Sequence, residues 1–143
     1  MSEKFNNFCS ELRTKISDAD KRIKDLKANA VGASEKAKVE AKAQLAALEN
    51  KAKEQKARTA AAEAKVTTWV EEKKTMTHDT IAEWKKQRDV KRLESRADLS
   101  ERYAVTAMEI AAAAVDEAER AAVEAIVARM DADEIKAPAA SNS

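Results

Sequence analysis

The chain has 143 residues and a net charge of +1, from 27 Lys and Arg against 26 Asp and Glu. It holds one Gly, one Pro, one Cys and one His, and 32 of its residues are alanine. One glycine excludes phosphate-binding loops and dinucleotide fingerprints, which need several for close backbone approach. One Cys and one His cannot complete a tetrahedral zinc site, nor the paired Glu-x-x-His motifs of a di-iron bundle.

Excess Ala, Lys, Glu and Arg with helical periodicity predicts an all-α fold of long helices or a coiled coil. From the N-terminus, Ser2 is a candidate cap for a first helical arm. Cys9, Leu12, Ile16, Ala19, Ile23, Leu26, Ala30, Ala33 and Ala37 then follow at steps of three and four, a heptad stripe. Two consecutive steps of four, to Ala41 and Leu45, form a stutter. The stripe resumes at Leu48 and Ala52, weakens through Ala60–Ala62 and recovers at Val66, Trp69, Val70 and Met76. Gly32 is the one candidate break, and because the stripe keeps step on both sides the arm reads as continuous over 3–74. Six acid-to-base pairs at i,i+4, among them Asp20–Lys24 and Asp116–Arg120, are expected to support the outer faces.

The turn falls at 75–80. Thr80 followed by Glu83 has capping-box spacing, and Ile81 and Trp84 open a second stripe running over 80–135. Ser95 and Asp98 mark a candidate kink near 98–100. The arm should end before Ala137-Pro138, because a residue preceding proline is pushed out of the helical region. Residues 137–143 are expected to be a disordered tail. The fold reading is therefore one domain over 1–136, a long antiparallel helical hairpin that brings Trp69 and Trp84 together. Arms of this length have no centre in which to bury a pocket.

His78 lies in Thr77-His78-Asp79-Thr80 and reads as a solvated turn residue. No catalytic, cofactor-binding or metal-binding residue is nominated, and the protein is expected to be no enzyme. Cys9 reads as a small apolar residue on a seam. A lone cysteine, with no apolar signal core in Met1–Asn7, points to a reducing, cytoplasmic setting. No uncharged stretch approaches the roughly 20 apolar residues of a membrane span.

Two features suggest interactions. Tyr103, Val105, Met108, Ile110, Val115, Val123, Ile126 and Met130 spread around too much of the second arm for one neighbouring helix to cover. The expected consequence is self-association into a homodimer or higher oligomer through these residues, most simply as a four-helix bundle. The second feature is charge polarity: residues 1–97 carry 23 cations and 16 acids, and residues 98–143 carry 4 and 10. Mutual pairing of the two arms is the plainer account. A basic patch of Lys85, Lys86, Arg88, Lys91, Arg92 and Arg96 is the sharper one, although without interleaved aromatics nucleic acid is the least expected partner.

The stretch from Tyr103-Ala104-Val105 through Ile110-Ala111-Ala112-Ala113-Ala114-Val115 to Ala128-Arg129-Met130 resembles the ends of certain uncharacterised bacterial coiled-coil proteins. Trp69-Val70-Glu71-Glu72 and Ile81-Ala82-Glu83-Trp84 share that likeness, which implies a bacterial cytosolic protein and no activity. In composition alone the chain is similar to phasins, the helical coat proteins of polyester granules. The functional expectation is a self-associating helical scaffold or interaction protein that uses no cofactor and also admits a second protein as partner. Coating of a lipid or granule surface is the alternative.

Overall fold

The structure, a computed structural model, describes residues 1–32 and 34–136. They form four helices and no strand: α1 (Glu3–Ala30), α2 (Glu35–Lys73), α3 (His78–Lys86) and α4 (Val90–Lys136). The fold is all-α, as composition predicts. Residues 137–143, read from the sequence as a disordered tail, lie outside the described residues.

The continuous first arm over 3–74 is corrected. Helix α1 stops at Ala30, and Gly32 takes the left-handed conformation, with φ +66°. Only glycine adopts that conformation freely, having no Cβ to strike the following carbonyl. Ser34 then caps α2, its Oγ accepting from the Ala37 N–H at 3.2 Å. The stripe keeps step across this turn because both helices carry a seam of their own. That of α2 runs through Ala41, Leu45, Leu48, Ala52, Gln55, Thr59, Ala62, Val66 and Trp69, each at least half-buried. Two polar members, Gln55 and Thr59, hide its continuity in the sequence.

The second arm also begins differently. Thr77, three residues before the expected Thr80, caps α3, and its Oγ1 accepts from the Thr80 N–H at 3.2 Å. No break occurs at 98–100; α4 is unbroken from Val90. The interruption lies at Gln87–Asp89. There the Asp89 N–H donates to the Trp84 carbonyl and the Arg88 N–H to that of Lys85, the paired bonds of a Schellman termination. Arg88 holds the left-handed position, with φ 55°, where glycine is usual. Asp89 at once caps α4, Oδ1 accepting from the Arg92 N–H at 3.1 Å.

The chain groups into two compact units, one of residues 1–13 and 56–112, the other of 14–55 and 113–143. In the first, Ser2 donates its N–H to Glu101 and the Cys9 thiol reaches the Met108 sulfur at 3.7 Å. Both contacts join residues 99 apart, so α1 and α4 run parallel there. Trp69 of α2 stacks on Tyr103 of α4, ring centroids 3.6 Å apart; the aromatic neighbour of Trp69 is Tyr103 rather than Trp84. In the second unit, α2 runs antiparallel to α4, through Lys38–Glu134 and Lys42–Asp131. Leu26, Ala41, Val123, Val127 and Met130 form the core there, with Ala30, Leu45, Leu48 and Ile126 packed on it.

A Cβ added at Gly32 meets nothing within 4 Å, so the cost of replacing it is conformational alone. Gly32→Ala is expected to lower stability by about 1 kcal/mol, and Gly32→Asn by less, because asparagine visits the left-handed region more readily. Urea unfolding of the two variants measures this. Equal midpoints in Gly32→Ala and the parent would contradict the turn.

Candidate functional site

In the second unit, charge is organised around two acids of α4. Asp116 retains 8% side-chain exposure and meets Lys15 of α1 at 2.9 Å and Lys51 of α2 at 3.3 Å through the same Oδ1. One carboxylate oxygen thus ties three helices. Glu119, 2% exposed, takes a forked pair of bonds from Arg22, the Nη2 contact being 2.7 Å. The i,i+4 partnership expected for Asp116 with Arg120 does not form; Arg120 instead grips Glu117 and Glu124 at 2.6 Å each. Of the other expected pairs, Asp20–Lys24 closes at 2.8 Å.

Burial alone would push the Asp116 carboxyl up, but the ammonium groups of Lys15 and Lys51 outweigh it and hold it below the ordinary range. The hydrogen bonds that the Arg22 guanidinium donates to Glu119 are the main reason it is held above its usual value. Arg120 is raised in the same way by Glu117 and then Glu124. These groups are structural in effect: they neutralise the acidic end of α4 against the basic segments of α1 and α2. The sequence held a signal for them. Residues 116, 119, 123, 127 and 130 share one three-and-four spacing, which places both acids on the stripe that carries Val123, Val127 and Met130.

The residues expected at an oligomer interface divide between the units. Val123 is fully buried and Met130 nearly so, inside the chain's own core, with Ile126 packed against it. Val105 is buried as well. All four take part in the chain's own packing, Ile126 as a half-buried residue. The premise of a single neighbouring helix fails because the turn at Gly32 gives α4 two neighbours, α1 and α2. Tyr103, Met108, Ile110 and Val115 remain half-buried.

Among α1, α2 and α4 of the first unit lies an open groove of about 770 Å³. Lys4, Lys65 and Arg102 line it with Asp98, Glu101 and Glu109. Three cations and three acids cancel, so the groove exerts no net pull on an ion. Among the described residues no group of three or more His, Cys, Asp or Glu is placed to hold a metal. His78 is exposed at the first position of α3. Among the described residues no helix is long and apolar enough to cross a membrane.

The six residues of the basic run are all exposed and gather at the α3–α4 elbow. Arg92 lies over the half-buried Trp84 ring at 5.9 Å and meets Asp89 at 3.4 Å. No family model, curated protein or solved structure matches the chain.

Because Asp116 is depressed in the folded chain, its contribution to stability is complete above pH about 4 and is lost as pH falls through the folded value. Converting both lysines, Lys15→Met with Lys51→Met, leaves burial acting alone. Asp116 is then expected to titrate above the ordinary carboxylate range, read from its carboxyl carbon by NMR. A titration unchanged from the parent would show that the lysines do not govern this carboxylate.

Proposed function

We propose that the chain is a non-enzymatic helical scaffold that associates with a second copy of itself through the unit of residues 1–13 and 56–112. The observation that supports this reading is where the aromatic side chains lie. Phe5, Phe8, Trp69, Trp84 and Tyr103 all belong to that unit, and every one is only half-buried. Among the described residues, the buried apolar ones there are Ala62 and Val105. The other unit, by contrast, closes over Leu26, Val123, Val127 and Met130.

Aromatic side chains can each bury some 150–250 Å² and dominate the energetics of contacts. Leaving five of them partly exposed forgoes stabilisation of about 25 cal/mol for every Å² left wet. A second copy offering the same surface recovers it in one symmetric contact. Met108 and Ile110 lie on α4 beside Tyr103 and belong to the proposed contact. Ile126 does not, being engaged with the core of the other unit.

Light scattering coupled to size exclusion tests this reading. The parent is expected at twice the 15.7 kDa chain mass or above. Ile110→Lys should return the single-chain mass with helicity retained, since a lysine cannot be buried unpaired at a contact. Ile126→Lys should keep the oligomer and melt at lower temperature. A parent that runs as a single chain at micromolar concentration, or floats with lipid vesicles instead of assembling, overturns the proposal.

A further inference from the structure

We propose that the elbow between α3 and α4 docks on the phosphate backbone of double-stranded nucleic acid. Within residues 85–96 six cations meet only two acids, Asp89 and Glu94. Asp89 is already committed, capping α4 and pairing with Arg92. Among the described residues Lys85, Lys86, Arg88, Lys91 and Arg96 have no ion-pair partner. Lys15, Lys38, Lys42 and Lys51, on the other unit, are each paired with an acid of α4. Five uncompensated cations around one three-residue connection form a concentrated positive field, where a solvated helix face would alternate its signs.

Arg88 is the decisive residue. It occupies the left-handed termination position at φ 55°, where a side chain is unfavourable and glycine would fit better. Its guanidinium contacts no acid among the described residues, so no ion pair offsets that conformation. Backbone strain of this kind concentrates at functional positions. Lys85, Lys86 and Arg88 also lie at the C-terminal end of α3, which cations complement; only Arg88 does so from a left-handed backbone.

The chemistry of the elbow selects among polyanions. A single strand is held by open aromatic faces on which bases stack, but Trp84 is half-buried and lies under Arg92. An anionic membrane is held by inserted apolar groups beside the cations, and the elbow offers only the small side chain of Val90, 61% exposed. Ile81, Leu93 and Leu99 are half-buried instead. What remains is a set of point charges suited to phosphates, with no group to read a base edge. Binding should therefore be independent of sequence.

Fluorescence anisotropy of a short labelled DNA duplex of mixed sequence, titrated with the full chain, tests the proposal. Five phosphate contacts predict a slope of log K against log salt of about −4 to −5, a loss of roughly 500-fold between about 50 and 200 mM. Arg88→Gly should make the slope shallower by about one, while its urea midpoint stays level or rises. Arg88→Lys should restore the slope. The exposed pair Lys91→Gln with Arg96→Gln should flatten it further without altering helicity. No retention of duplex at about 50 mM salt, a slope near zero, or a parental slope in Arg88→Gly would each overturn the proposal. So would binding to phosphatidylserine vesicles by a protein that ignores the duplex.

Discussion

A carboxylate placed among packed helices must find compensating positive charge or take up a proton, because desolvation of an unpaired anion costs several kcal/mol. In the unit of residues 14–55 and 113–143 this requirement falls on Asp116. Its Oδ1 is met from one side by Lys15 of α1 and from the other by Lys51 of α2. Glu119 adds a forked contact with Arg22. Apolar contacts between alanine-rich helices are shallow and tolerate sliding. These contacts do not, for a slip of one heptad would strand a buried acid without its cation. The ion pairs thus specify register where the small side chains cannot, a use of buried charge known from coiled coils.

Register in turn decides what the apolar residues do. With Asp116 pinned, the two turns of α4 that carry Val123, Val127 and Met130 fall against Leu26 of α1 and Ala41 of α2, and a true core results. The unit of residues 1–13 and 56–112 has no equivalent. It holds all five aromatic side chains, of which Trp69 stacks on Tyr103, and each of the five is only partly buried. Two units made from the same three long helices therefore differ in what they bury: one has an aliphatic core crossed by ion pairs, the other holds the five partly buried aromatic side chains. That contrast underlies the assignment of self-association to the aromatic unit.

Charge is divided in a comparable way. The acidic excess of residues 98–143 is largely consumed in cross-helix pairs, Lys38 with Glu134 and Lys42 with Asp131 besides those at Asp116 and Glu119. The plainer of the two sequence readings, mutual pairing, accounts for this part of the polarity. It does not account for the cations at the α3–α4 elbow, which stay apart from these acids. Nor does it explain an arginine in a backbone conformation that favours glycine. The two observations together distinguish the elbow from an ordinary solvated helix face.

By itself the sequence determined that the chain is all-α. Ala, Leu, Lys and Glu in periodic order leave no other regular structure open to them. The stripe through Leu26 and Leu45 and the polarity of charge were legible for the same reason: they are properties of composition and spacing. Only the tertiary structure decided that the helix ends at Ala30. The cost of one glycine is small against the length of an unbroken stripe, and a seam shared by two successive helices looks the same in sequence as one long seam. It likewise decided that Asp116 and Glu119 face inward. An acid at a seam position is tolerable only when cations arrive from elsewhere in the chain, and those neighbours exist only after α1 and α2 have packed against α4.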